Sequence, residues 1–176
     1  MTTSLVLTIV GPDRPGIVNL LSDCISAHGG NWLQSRMANL AGQFAGIVLL
    51  QLPGAKVEPL LAALRELEAS DLHIVATRGT ADGALPRDRR LKLELVGHDR
   101  PGIVREISHE LARRGVSIEE FSTDCISGSM SGESLMRGTA QLKVPAQVET
   151  AELRRALEAL ANDLMVDVTL DETVRR

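Results

Sequence analysis

Hydrophobic positions in the first half of the chain follow the strand period and the helix period in turn. Residues 5–10 are apolar at nearly every position, which predicts a central strand that is apolar on both sides. From Ile17 the apolar residues recur every three or four positions as far as Gly29, which predicts an amphipathic helix that ends there. The predicted elements are a strand at 5–10, a helix at 17–28, strands at 31–40 and 43–52, a helix at 57–67 and a strand at 73–78.

The second half of the chain repeats this pattern. GPDRPGIV at residues 11–18 returns as GHDRPGIV at residues 97–104, and 97 − 11 gives an offset of 86 positions. Such a period is too long for a solenoid repeat, so each copy is predicted to be a domain with its own core. The predicted elements of the second copy are a strand at 91–96, a helix at 102–114, strands at 116–126 and 135–144, a helix at 150–161 and a strand at 164–170.

The order of elements in each copy is βαββαβ. Right-handed crossovers place both helices on one face of a four-stranded antiparallel sheet with strand order 2-3-1-4. We therefore predict an α+β chain of two ferredoxin-like domains, residues 1–79 and residues 91–176, joined by a linker at residues 80–90. The copies differ in the hairpin, since eight polar residues, 127–134, replace the two-residue turn of the first copy.

The composition of the chain excludes several classes of function. The net charge of −4 and the presence of only three aromatic residues disfavour binding to nucleic acid. The sequence contains no apolar stretch of the roughly 20 residues that cross a membrane and no cleavable leader, so we expect a cytoplasmic protein without membrane contact. Catalytic and metal-binding motifs are also missing, which predicts no enzyme activity, no metal and no cofactor. Cys24 and Cys125 are interpreted as small core residues.

The repeated loop suggests two roles. Asp13 and Asp99 stand where a helix N-cap is expected, and Pro15 and Pro101 stand in the first turn. A helix start alone explains these residues.

A helix start alone leaves Gly16 and Gly102 unexplained, because glycine inside a first turn costs helix stability. We therefore expect a ligand or another chain to approach the backbone there, and the free N–H groups of a helix N-terminus favour a carboxylate such as that of an amino acid. Arg14 and Arg100 either pair with acids across an interface or reach that carboxylate.

Two βαββαβ copies with Gly-x-Asp-Arg-Pro-Gly after each first strand resemble ACT domains, small modules that sense amino acids. Residues 11–53 are similar to the glycine cleavage system transcriptional repressor family, whose members are two ACT domains and little else. The resemblance implies an effector held by the first loop of one module and the start of the second strand of its neighbour. The implied ligand-binding residues are Gly11, Pro12, Asp13, Arg14, Pro15, Gly16 and Asn31 in the first copy, and Gly97, His98, Asp99, Arg100, Pro101, Gly102 and Ser117 in the second.

The resemblance further implies an amino-acid-responsive regulator, with glycine or serine as the favoured effector and another regulatory protein as its partner. Because Ser117 replaces Asn31, the second copy is expected to have a weaker or different role. Three alternatives stay open: a ligand-free interaction or oligomerisation module, a small enzyme whose site forms at a dimer interface, and a homodimer through the edge strand at residues 31–40.

Overall fold

The computed structural model describes residues 1–79, 88–127 and 134–172. The chain divides into two compact units, Met1–Gly83 and Ala84–Arg176, which we call domain 1 and domain 2. Domain 1 contains β1 (Thr2–Pro12), α1 (Ile17–Ala27), β2 (Asn31–Leu40), β3 (Gln43–Pro53), α2 (Val57–Leu67) and β4 (His73–Arg78). Domain 2 contains β5 (Arg89–His98), α3 (Ile103–Arg113), β6 (Ser117–Ser127), β7 (Ser134–Val144), α4 (Thr150–Leu164) and β8 (Val166–Glu172).

Each domain has one antiparallel sheet, ordered β2-β3-β1-β4 in domain 1 and β6-β7-β5-β8 in domain 2. The predicted strand order 2-3-1-4 and the α+β ferredoxin-like class are therefore confirmed. The continuous apolar run of β1 has the predicted cause, because β1 pairs with β3 on one side and with β4 on the other.

Each core is mainly aliphatic and lies between the sheet and its two helices, with Phe44 as the one aromatic residue among the buried core residues that the structure describes. In domain 1 the helix residues that recur every three or four positions are the buried ones, such as Leu21 and Ile25 on α1 and Leu60 and Leu64 on α2. They pack against the alternate residues of the strands, such as Leu7 of β1. An aliphatic side chain of this size stabilises the folded state by about 1.5–3 kcal/mol when it is fully buried.

The main differences from the predicted bounds lie at element ends. β1 extends to Thr2–Pro12 because its pairing with β3 continues to both ends of β3. Helix α4 ends at Leu164, three residues later than predicted, and Met165 follows in a left-handed conformation with φ 53°. β5 begins at Arg89, inside the predicted linker. Residues 80–87 of that linker and residues 128–133 of the second hairpin lie outside the described residues.

Candidate functional site

The two motif loops occupy equivalent places in their domains. The first loop, residues 11–16, joins β1 to α1, and the second loop, residues 97–102, joins β5 to α3. Each begins inside its strand, because β1 runs to Pro12 and β5 runs to His98. Most residues of both loops are exposed to solvent at one end of the sheet, so the loops are accessible.

The first glycine of each loop is required by close packing. A Cβ atom on Gly11 would lie 2.5 Å from the carbonyl oxygen of Asp71, two residues before β4. A Cβ atom on Gly97 would lie 2.5 Å from a side-chain carbon of Val166, at the start of β8. Both distances are far below van der Waals contact, so any larger residue would force the central strand and its edge neighbour apart.

The last glycine of each loop is required by the backbone conformation, and the premise that it lies inside a helical turn was wrong. Gly16 has φ 92° and Gly102 has φ 101°, in the region that only glycine adopts at little cost. Neither residue lies inside a helix, because each is the N-cap and the helices begin at Ile17 and Ile103. A Cβ atom on either glycine would meet no atom within 4 Å, so the positive φ alone accounts for these residues.

The same geometry corrects the interpretation of the prolines and aspartates. Pro15 and Pro101 precede the helices, in the turn that leads to each N-cap glycine. Neither helix has a side-chain cap, so Asp13 and Asp99 do not cap helices. Because the chain turns at Pro-Gly between each aspartate and its helix, the carboxylates do not bond to the free N–H groups of the helix.

Each aspartate instead connects the loop to the last residues of the second strand. The side-chain amide of Asn39 on β2 donates a hydrogen bond to the carboxylate of Asp13. In domain 2 the thiol of Cys125 on β6 lies beside the carboxylate of Asp99, which helps to raise the pKa of that thiol. The sequence separation is 26 residues in both copies, since 39 − 13 and 125 − 99 are equal. Sequence reasoning missed both partners, although the 86-residue offset maps Asn39 onto Cys125.

A backbone hydrogen bond holds each aspartate to the following hairpin. The Asp13 N–H donates to the carbonyl of Gly42 at 2.9 Å, and the Asp99 N–H donates to the carbonyl of Ser134 at 2.8 Å. The bond is thus retained although the second hairpin is six residues longer. Each loop is anchored at its aspartate by the main chain and by a side chain.

The cysteines differ in environment. Cys24 is half-buried and packs against the core of domain 1, as expected, and burial raises the pKa of its thiol, with a smaller effect from the charge of Glu66. Cys125 is exposed, so its interpretation as a core residue was wrong. Desolvation raises the pKa of the Cys125 thiol, and the charge and hydrogen bond of Asp99 raise it further.

The two arginines of the loops have different partners. Arg100 donates a hydrogen bond of 2.9 Å to the carbonyl of Asp163, near the end of α4. Within the described residues, Arg14 makes no hydrogen bond or ion pair. The first turn of α3 also contains an acid, Glu106, whereas the first turn of α1 contains none. The positive end of the α1 dipole is therefore less compensated than that of α3.

Asn31 and the first loop lie at opposite ends of the same sheet. Asn31 pairs with Gln51, which pairs with Ser4 on β1. Eight residues separate Ser4 from Pro12, which corresponds to about 27 Å along a strand. Ser117 has the equivalent place at the start of β6. Asn31 can therefore meet a first loop only if that loop belongs to another module.

The described residues, 1–79, 88–127 and 134–172, contain no group of three or more His, Cys, Asp or Glu side chains that could hold a metal ion. Over the same ranges, no helix combines the length and the apolar character needed to span a membrane.

Comparison with known proteins identifies the domain type. Residues 3–77 match the family model of the ACT domain. Domain 2 repeats the strand order and the motif loop of domain 1. Domain 1 is an ACT domain, and domain 2 is a second copy of the same fold. The predicted resemblance to ACT domains is thereby confirmed.

Relatives of this protein match it along nearly its whole length. It is 27% identical to the glycine cleavage system transcriptional repressor of Escherichia coli (strain K12) over 165 residues, which are 91% of this chain and 85% of that protein. A crystal structure of an unknown protein from Galdieria sulphuraria superposes with a TM-score of 0.89 at 32% identity, over 99% of this chain and 100% of that one. A crystal structure provisionally named as a glycine cleavage system transcriptional repressor superposes with a TM-score of 0.73 at 20% identity, over 99% of both chains, and this likeness concerns the fold.

Proposed function

We propose that this protein is a non-enzymatic, cytoplasmic regulator of transcription that responds to an amino acid and acts through a protein partner. The observation that carries the proposal is the similarity to the glycine cleavage system transcriptional repressor over 91% of the chain. Direct binding to DNA is not part of the proposal, since both copies of the fold are used by ACT-like domains and the net charge is −4.

Glycine or serine is the favoured effector, and the first loop is the proposed site. An amino acid carries a carboxylate and an ammonium group on one carbon. Within α1, the N–H groups of Ile17, Val18 and Asn19 have no partner in the helix and suit the carboxylate. Arg14 supports the same assignment because it is a cation without a partner among the described residues. The carboxylate of Asp13 suits the ammonium group.

Asn31 completes the proposed site from a neighbouring module. Its side-chain amide offers both a donor and an acceptor to a zwitterion. The second loop, with His98, Asp99, Arg100, Pro101 and Gly102, is proposed as a weaker site. Arg100 is already bonded to the end of α4, and Glu106 places a like charge near an incoming carboxylate.

The test is calorimetric titration with a panel of amino acids, glycine and serine first. We expect binding that weakens at least tenfold in Arg14→Ala, with Arg100→Ala as the matched control that keeps it. Asn31→Ser, which copies the second domain, should weaken binding as well. Absence of binding by every amino acid at millimolar concentration would disprove the effector role.

A ligand-free interaction module is the second candidate. It is favoured by Gly16 and Gly102, since their positive φ explains them without a ligand. This candidate expects Asp13→Ala to lower thermal stability modestly and to leave partner binding intact. If Asp13→Ala abolished partner binding at unchanged stability, the candidate would be rejected.

A further inference from the structure

The face of the domain 1 sheet that points away from its helices has an apolar centre with a polar border. We call it the outer face, and its centre consists of Val6, Leu33, Ile47, Leu49 and Val75. Leu33, Ile47 and Val75 are 45%, 47% and 60% exposed. All of the centre except Val75 lines a shallow groove with a volume of about 550 Å³. Exposed apolar residues that are contiguous in this way are typical of an interaction surface.

Domain 2 shows that the fold does not require an apolar outer face. Sheet register identifies the equivalent positions, because Val6 pairs with Leu49 in domain 1 just as Lys92 pairs with Gln141 in domain 2. By the same comparison Leu33 corresponds to Glu119, Ile47 to Thr139 and Val75 to Thr169. Ion pairs border this second face, with Lys92 and Glu94 at 2.5 Å and Arg90 and Glu119 at 3.0 Å.

We infer that the outer face of domain 1 is a docking surface for an amphipathic helix of a partner protein, one whose apolar stripe is bordered by acidic residues. The apolar centre would bury the stripe, as amphipathic helices bind apolar grooves elsewhere. This inference deepens the proposed function and rests on it for its regulatory meaning, because it assigns the surface through which the partner is reached.

The charge of the face determines the character of the helix. Arg36 lies on β2 and Arg78 lies on β4, and both line the groove. Arg36 already has interaction partners, among them the carbonyl of Ser35 at 3.0 Å. Arg78 has no hydrogen bond or ion pair within the described residues, so it is the cation of the groove that an acidic partner can reach. No aspartate or glutamate is among the described residues that line the groove. Two copies of this face would therefore bring together cations only, which disfavours self-association and favours an acidic partner.

The dimensions of the face suit one helix. β2 and β4 are the two edge strands of the sheet, with β3 and β1 between them. Three strand spacings separate the edges, which is about 14 Å. A helix with its side chains is about 10–12 Å wide, so its apolar stripe would cover the two central strands. Acidic residues on either side of the stripe would then lie above Arg36 and Arg78.

The test uses a display library of amphipathic helices with fixed apolar positions and flanking positions randomised among Glu, Lys and Gln. Selection is made on the full-length protein. Selected helices are then measured by fluorescence anisotropy against Ile47→Thr combined with Leu49→Gln, which copies the second domain at these positions. Val104→Thr is the matched control, because Val104 is 41% exposed but lies on α3 of domain 2.

We expect selected helices to be enriched in glutamate at the flanks and to bind the double variant roughly tenfold or more weakly, since two half-exposed aliphatic side chains are lost. Arg78→Glu, which copies Glu172 of domain 2, should weaken the glutamate-flanked helices and strengthen lysine-flanked ones. Val104→Thr should leave the binding of every selected helix unchanged. Equal binding to wild type and double variant, or enrichment of lysine, would overturn the inference.

Two further measurements separate the alternatives. If sedimentation velocity shows a dimer that the double variant dissociates, the occupant is a second copy and the partner-helix inference is wrong. Glycine and serine titrations of the double variant should match the wild type, because the outer face is separate from the first loop. If no amino acid binds while the acidic helices still do, the effector role fails and the docking surface stands.

Discussion

Replacement of Gly16 by alanine tests the explanation that the positive φ, rather than a ligand, requires the last glycine of the motif. A Cβ atom at this position would meet no atom within 4 Å, so the cost contains no steric clash. The left-handed conformation costs an L-residue about 1–2 kcal/mol. Loss of conformational freedom in the unfolded chain returns about 0.4–1 kcal/mol. The expected net loss is therefore about 1 kcal/mol in the free energy of unfolding.

The assay is urea denaturation followed by tryptophan fluorescence. Trp32 is the single tryptophan of the chain and packs against the core of domain 1, so its emission reports on the domain that contains Gly16. With an m-value of about 1 kcal/mol/M, the midpoint should fall by about 1 M urea. Gly16→Asn should lose less, because asparagine tolerates the left-handed region better than alanine.

The result that would refute this explanation is also specific. If Gly16→Ala unfolded at the wild-type urea concentration but no longer bound glycine or serine, the glycine would be required by a ligand close to the backbone. The expectation drawn from the sequence would then be correct after all. If Gly16→Ala loses stability and keeps amino-acid binding, the backbone conformation is the sufficient cause.

Three further predictions concern the loops. Gly97→Ala should cost more stability than Gly16→Ala, because its Cβ would clash with β8, and circular dichroism during thermal unfolding should show the larger fall in Tm. Arg100→Ala should lower the free energy of unfolding by about 1 kcal/mol through loss of its bond to the end of α4, while Arg14→Ala should leave urea denaturation unchanged. Asp99→Asn should lower the pKa of the Cys125 thiol, because the charge of Asp99 raises it. Alkylation of that thiol at pH 8, followed by mass spectrometry, should therefore become faster. An unchanged rate would exclude the charge of Asp99 as a cause of the raised pKa.

The elements were predictable where periodicity and a stop signal coincide. α2 begins and ends at the predicted residues, Val57 and Leu67, because its apolar stripe is regular between Pro53–Gly54 and the polar segment that follows. The ends of β1 were not predictable in this way. They depend on how far β3 continues beside it, which is a property of the sheet rather than of either strand alone.

The loops could be located from the sequence, but their internal contacts could not. A one-dimensional pattern does not reveal the φ angle of Gly16, so a conformational requirement was interpreted as space for a ligand. The bond from Asn39 to Asp13 depends on strand order and register together, because the end of β2 approaches the loop only across β3. Once the 2-3-1-4 order is assumed, the equal separation of 26 residues in both copies is the signal that could have revealed this bond.

The backbone bond from Asp13 to Gly42 and its counterpart from Asp99 to Ser134 have a practical consequence for protein engineering. Both bonds form at the same row of the sheet, although the connection between the hairpin strands is six residues longer in domain 2. The chain thus already contains a natural insertion at this position that leaves the motif loop anchored. A fluorescent reporter or a peptide tag placed between Ala41 and Gly42 would follow that precedent and would report on the first loop from close by.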